Sequence, residues 1–136
     1  MGNALAGYGL LRGRVDASSM HDFRRLQVWQ QSRELAVELD AIVRKFPRSD
    51  GGVVGGQLHR AALSIPANIA EGCGKSSRKE TLRFLQIGCG SATETENHVL
   101  LAGDLKYIEP RECENLLGKV KSIQRMLKGL MAKLPH

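Results

Sequence analysis

The sequence predicts an all-α protein, an antiparallel four-helix bundle in up-down-up-down order. Four segments repeat apolar residues at spacings of three and four, which is the period of an amphipathic helix. Short connections with glycine or proline separate the segments, and short connections make consecutive helices antiparallel. No segment alternates apolar and polar residues as a strand would. The 136 residues fit one domain, which we place at residues 21–136.

Residues 1–20 are rich in glycine and lack helical periodicity, so we expect a flexible N-terminal tail, with Met20 as an alternative start. This tail lacks the basic start and unbroken apolar run of a signal peptide. The sequence also lacks the run of about 20 apolar residues that a membrane span needs. We therefore predict a soluble, cytoplasmic protein with no membrane partner, whose three cysteines are reduced.

The first helix is expected from Phe23 to Phe46, with Asp22 as its N-cap. It carries two apolar stripes, and one stripe is enough for a bundle core. The second stripe, at intervals of seven, either widens the core face or contacts another partner; it consists of Val28, Leu35 and Ile42. The first stripe consists of Leu26, Trp29, Ala36, Leu39, Val43 and Phe46.

A glycine-rich connection is expected at residues 47–56, followed by a second helix from about Val54 to Cys73. Pro66 lies inside this helix and predicts a kink, because proline lacks the amide hydrogen that the helix needs. The expected core face is made of Leu58, Ala61, Ala62, Ile65 and Ile69.

The third helix is expected to begin at Ser76 or Ser77, with Glu80 completing a capping box, and to end near Leu105. Glycines at 88 and 90 each cost about 1 kcal/mol relative to alanine in a helix. The apolar pattern keeps its phase on both sides of these glycines, which favours one continuous helix. The fourth helix follows Pro110 and has the most regular heptad pattern, formed by Cys113, Leu116, Val120, Ile123, Leu127, Leu130 and Leu134.

A set of polar residues on the second and third helices is expected to face the interior. A buried charge needs a partner, so we expect a structural network in which Glu94 meets Arg60 or Asn68, with a ligand site in the bundle as the alternative. The set consists of Arg60, Ser64, Asn68, Glu71, Ser91 and Glu94. No nucleophile elbow, oxyanion hole or metal-ligand spacing accompanies it. We predict no enzymatic activity, catalytic residue, metal or cofactor.

The chain carries 20 Lys and Arg against 14 Asp and Glu, a net charge of +6 that favours anionic partners. Two clusters are candidates for nucleic-acid binding: Lys75, Arg78, Lys79 and Arg83 near the start of helix three, and Lys121, Arg125 and Lys128 on one face of helix four. The first cluster opposes the helix dipole, so it does not serve helix stability. Binding would be directed at phosphates, because interleaved aromatic residues are absent. The alternative is a solvated outer face.

Four segments of the sequence resemble a known family. They are DFRRLQVWQQSRELA, then FP at 46–47, QLHRAALSIPANIAEGCGKSS at 57–77 and RFLQIGCGSATETE at 83–96. Together they are similar to the four-helix-bundle proteins encoded in intervening sequences of bacterial 23S ribosomal RNA genes, over about residues 22–134. The family's motif positions correspond here to Arg60, Ser64, Pro66, Asn68, Glu71, Gly72, Phe84, Gly90, Ser91 and Glu94.

This resemblance implies a four-helix bundle that assembles as a ring-like homopentamer without established enzymatic activity. It also implies similarity to accessory subunits of diversity-generating retroelements, which bind nucleic acid and a reverse transcriptase. In such an oligomer, Val28, Leu35 and Ile42 are expected to face a neighbouring subunit. We therefore predict a homo-oligomer that binds RNA or DNA through its basic surfaces. The alternative is a protein–protein adaptor, for example for a reverse transcriptase, without direct nucleic-acid contact.

Overall fold

The structure, a computed structural model, describes residues 22–48 and 50–135; the tail predicted at residues 1–20 lies outside this part. A short 3-10 turn at Phe23–Arg25 precedes four α-helices, and the described residues contain no strand. The helices are α1 (Gln27–Val43), α2 (Asp50–Cys73), α3 (Arg78–Asp104) and α4 (Pro110–Ala132). The predicted four-helix, all-α class is confirmed. None of the described helices is both long and apolar enough to span a bilayer.

The first helix is shorter than predicted at both ends. The Asp22 carboxylate accepts a hydrogen bond from the Arg24 amide at 3.3 Å, but it caps the 3-10 turn and not the α-helix. Leu26 then adopts an extended conformation, with ψ of 126°, so the α-helical ladder begins only at Gln27. The helix ends at Val43, before Pro47.

The second helix begins at Asp50, so the predicted connection at 47–56 is wrong over most of its length. Its glycines have a packing role that explains the difference. A Cβ atom on Gly55 would lie 2.6 Å from Cγ1 of Val43, and one on Gly51 would lie 2.8 Å from Cδ of Pro47. Glycine therefore lets α2 approach the end of α1 closely, and this packing offsets the low helix propensity of glycine.

The third helix is continuous through its glycines, as predicted. Ser77 is its N-cap, and the Ser77 hydroxyl accepts a hydrogen bond from the Glu80 amide at 3.2 Å. A Cβ atom on Gly88 would lie 3.8 Å from Cβ of Asn68, in ordinary contact with α2. The helix ends at a Schellman motif, in which Lys106 has a φ of 64° and Tyr107 donates its amide hydrogen to the Ala102 carbonyl at 2.9 Å.

The core is aliphatic and takes residues from all four helices. The predicted core face of α2 is buried, and so is the heptad of α4 apart from half-buried Cys113. Both stripes of α1 also contribute: Val28 is 4% exposed, Leu35 is 2% exposed, and Ile42 is half-buried against the core. The second stripe therefore widens the core face. Val28 and Leu35 are buried inside the chain and cannot contact a neighbouring subunit, so the subunit interface predicted at these two residues is wrong.

Each helix packs against its neighbours along the chain, and α1 packs against α4. Contacts between α2 and α3 run in opposite directions along the two helices, from Thr81 with Gly72 to Ser91 with Ser64. The up-down-up-down order stays a prediction, and this antiparallel register supports it.

Candidate nucleic-acid interface

The first predicted basic cluster lies at the turn between α2 and α3. Lys75 follows the end of α2, while Arg78 and Lys79 occupy the first turn of α3, directly after the Ser77 cap. Arg78, Lys79 and Arg83 are exposed, and Lys75 is half-buried. Among the described residues, no acidic side chain forms an ion pair with these three exposed cations. Their charge is therefore available to a partner.

Two cations of this cluster contact an aromatic ring. The Lys75 ammonium lies 5.1 Å from the centre of the Phe84 ring, and the Arg83 guanidinium lies 5.6 Å from the same centre. These are cation–π distances. Lys75 also forms an ion pair with Glu71 at 3.6 Å, so its charge is partly neutralised. Phe84 thereby orders the long side chains at this turn.

The three predicted cations of α4 differ in their surroundings. Lys121 donates a hydrogen bond to Glu96 on α3 at 3.2 Å, and Gln124 donates to the other oxygen of the same carboxylate at 3.0 Å. These two hydrogen bonds lower the pKa of Glu96. Arg125 and Lys128 are exposed, and neither has an acidic partner within the described part of the chain. Lys121 therefore joins two helices, whereas Arg125 and Lys128 form no ion pair with any described residue.

Contacts between α3 and α4 place the two clusters in the same half of the bundle. A Cβ atom on Gly103 would lie 3.0 Å from Sγ of Cys113, and Glu96 meets Lys121 and Gln124. The two helices are therefore antiparallel, so residues nearer the N-terminus of α3 lie beside residues nearer the C-terminus of α4. Seven residues further along each helix, Cys89 of α3 therefore lies at about the level of Lys128 of α4.

Lys79 lies ten residues before Cys89 on α3, on the side of the α2–α3 turn. This separation corresponds to about 15 Å along the helix axis. Arg83 lies between the two levels, on the same helix. We define the basic surface as five exposed cations of α3 and α4 that lack an acidic partner in the described chain: Arg78, Lys79, Arg83, Arg125 and Lys128. With Arg125 included, it extends over about 20 Å along the bundle.

The predicted polar network is formed only in part. The Ser64 and Ser91 hydroxyls are hydrogen-bonded at 2.8 Å, and the Asn68 amide donates to the Ser64 hydroxyl at 2.9 Å and to its carbonyl at 2.8 Å. Three of the six predicted residues therefore form one cluster between α2 and α3. Arg60 is exposed, and no contact joins it to Glu94 among the described residues.

The predicted partner of Glu94 is wrong because the buried face of α3 differs from the expected one. The interior stripe consists of Leu85, Gly88, Ala92, Thr95, Val99 and Ala102. The stripe with Ser91 and Glu94 lies at its edge, where the Glu94 side chain is 52% exposed and needs no buried counter-charge. Its carboxylate lies 3.6 Å from Nε2 of His98, and Nδ1 of that histidine is buried without a hydrogen-bond partner.

The cysteines and acidic residues do not form a metal site within the described chain, where no group of three or more potential ligands is close enough to hold an ion. The three thiols are free. Burial raises the pKa of Cys73 to about 12, and burial also raises the pKa of Cys89 against the opposing charge of Lys128. All three thiols have raised pKa values, so they are protonated and weakly nucleophilic at neutral pH.

Together, these features define a small helical-bundle protein with an aliphatic core and a cationic surface on α3 and α4. Comparison with known proteins specifies the family. The model of the 23S rRNA-intervening sequence proteins matches residues 24–129, and the chain belongs to this family. The family resemblance predicted from the sequence is thereby confirmed, whereas the relation to retroelement accessory subunits stays a prediction.

A solved structure supports the same conclusion. The chain is similar to a protein of unknown function from the S23 ribosomal protein family of Bacteroides thetaiotaomicron VPI-5482, whose crystal structure was determined at 1.70 Å resolution. The two share 27% sequence identity and a TM-score of 0.71, over 76% of this chain and 97% of that one. No curated protein showed significant sequence similarity to the chain.

Proposed function

We propose that this protein binds nucleic acid through the basic surface and has no catalytic role of its own. The supporting observation is that five exposed cations in one half of the bundle lack an acidic partner in the described chain. Lys119 and Arg44, by contrast, are paired with Glu38 and Asp40. Exposed cations without an acidic partner in the described chain also occur in the opposite half, where Lys45 and Arg111 lie. Clustered unpaired cations repel one another, and a polyanion relieves this repulsion while releasing its own counterions.

A pair of charge-matched variants tests the proposal. Arg125→Ala with Lys128→Ala removes two charges from the basic surface, and Lys45→Ala with Arg111→Ala removes two exposed charges from the opposite half. Binding of a random-sequence RNA pool is measured by filter retention over a range of salt concentrations. We expect the first variant to reduce the salt dependence of log K by about 2, because each cation that neutralises a phosphate accounts for about 1. The second variant should bind like the natural protein.

Two results would count against this proposal. Equal weakening by both variants would mean that net charge, and not this surface, governs retention. Absence of RNA binding by the natural protein at low salt would count against the proposed binding of RNA.

Self-association is the second part of the proposal, and exposed apolar residues of α2 and α3 support it. Val53 is 70% exposed, Leu101 is 41% exposed and Leu105 is 45% exposed. Ser64 contacts Ser91 across the two antiparallel helices. Val53 lies eleven residues before Ser64 and Leu101 lies ten residues after Ser91, so both lie at the same level of the bundle. A second copy of the chain would cover this apolar surface.

A charged variant tests this surface. We expect Leu101→Glu with Leu105→Glu to convert the assembled protein into monomers, because two carboxylates would be buried without partners. Val37→Glu is the control, since Val37 is 68% exposed on α1. The mass of the native assembly is measured by light scattering for all three proteins. A natural protein that is monomeric at all concentrations, or dissociation by Val37→Glu alone, would refute the proposed interface.

A further inference from the structure

The aromatic rings of the described chain are already engaged in internal contacts. Phe23 packs edge-on against Trp29 with ring centres 5.0 Å apart, and Phe46 packs against Tyr107 at 5.2 Å. The fifth ring, Phe84, is half-buried beneath the Lys75 and Arg83 side chains. Proteins that bind single strands stack successive bases on exposed aromatic rings, and this stacking supplies much of the binding energy. The basic surface offers no such stacking ring among the described residues.

The helices that carry the cations of the basic surface have fixed relative positions. The cations project from α3 and α4, and the contact of Glu96 with Lys121 and Gln124 joins the two helices next to Arg125. Helix axes in contact lie about 8–10 Å apart, so the surface is about 20 Å long and two helices wide. Cations carried on two joined helices favour a ligand whose charges are also held at fixed positions.

Double-helical nucleic acid has this property. It carries one negative charge for every 1.7 Å or so of its axis when both strands are counted, twice the linear density of one strand. A single strand must lose conformational freedom to follow a rigid surface, and without stacking it gains little in return. We infer that the basic surface binds the phosphate backbones of double-helical nucleic acid in preference to single strands. This inference rests on the function proposed above and specifies its substrate.

Direct competition between duplex and single strands tests this inference. The full chain is titrated with a labelled duplex RNA of about two helical turns, with the DNA duplex of the same sequence, and with each separate strand. The strands are designed without self-complementarity, and binding is followed by fluorescence anisotropy at several salt concentrations. We expect at least one of the duplexes to bind about tenfold or more tightly than its own strands. We also expect Arg125→Ala with Lys128→Ala to lower duplex affinity and its salt dependence.

The outcomes separate this inference from the proposal on which it rests. Single strands that bind as tightly as the duplexes, or more tightly, would overturn the preference for duplex while leaving nucleic-acid binding intact. A lack of binding to every probe at low salt would overturn the proposed function as well. Tight duplex binding that Arg125→Ala with Lys128→Ala does not weaken would place the site elsewhere and overturn the assignment to this surface.

Discussion

Replacing Leu35 with alanine should lower the free energy of unfolding by about 2–5 kcal/mol, a large share of the about 5–15 kcal/mol typical of small domains. Leu35 is 2% exposed and belongs to the core cluster shared by the four helices, so its truncation leaves a cavity inside the chain itself. Because the cavity is internal, the loss should be the same at low and high protein concentration. Chemical denaturation at widely separated concentrations measures it.

Leu63→Ala is the matched control for this experiment. Leu63 is 48% exposed on α2, so the same chemical change should cost less than about 0.5 kcal/mol. A loss for Leu35→Ala that appears only at high concentration, together with dissociation of an oligomer, would instead place Leu35 at a contact between subunits.

The position of Leu35 shows what the sequence could and could not decide. Its spacing at intervals of seven from Val28 and Ile42 correctly identified an apolar face. Periodicity does not reveal how wide a face the neighbouring helices cover. Here α2 and α4 pack on either side of α1, so the two stripes become one broad core surface. This arrangement depends on contacts between distant parts of the chain.

The candidate site was predictable in its charges but not in their pairing. The sequence located all seven candidate cations, because clusters of lysine and arginine are visible directly. It could not show that Lys121 is neutralised by Glu96, 25 residues away, whereas Arg125 on the next turn has no acidic partner among the residues described. It also missed Phe84 as an organising ring, although an aromatic residue next to Arg83 was a visible signal. Which side chains pair between two helices depends on the rotation of each helix about its axis, and the sequence does not show this rotation.

The glycines of α2 provide the second test, in which one substitution type should have opposite effects at adjacent positions. Gly55→Ala should destabilise the protein by up to about 2 kcal/mol, since overpacking costs about 1–3 kcal/mol and alanine recovers about 1 kcal/mol of helix propensity. The new methyl group would lie 2.6 Å from Cγ1 of Val43, a stiff β-branched side chain, and 3.3 Å from the Phe46 ring. Gly56→Ala should stabilise by up to about 1 kcal/mol, because no neighbouring atom lies within 4 Å.

Thermal and urea denaturation of the two variants measure this difference, and their comparison separates the two explanations for a glycine-rich helix. If these glycines only weaken the helix, as the predicted connection at 47–56 assumed, both substitutions should stabilise the protein to a similar extent. If Gly55 is required for the approach of α2 to α1, only Gly56→Ala should stabilise it. Equal stabilisation by Gly55→Ala and Gly56→Ala would therefore contradict the close packing of α2 on Val43. This packing is our explanation for the start of α2 at Asp50.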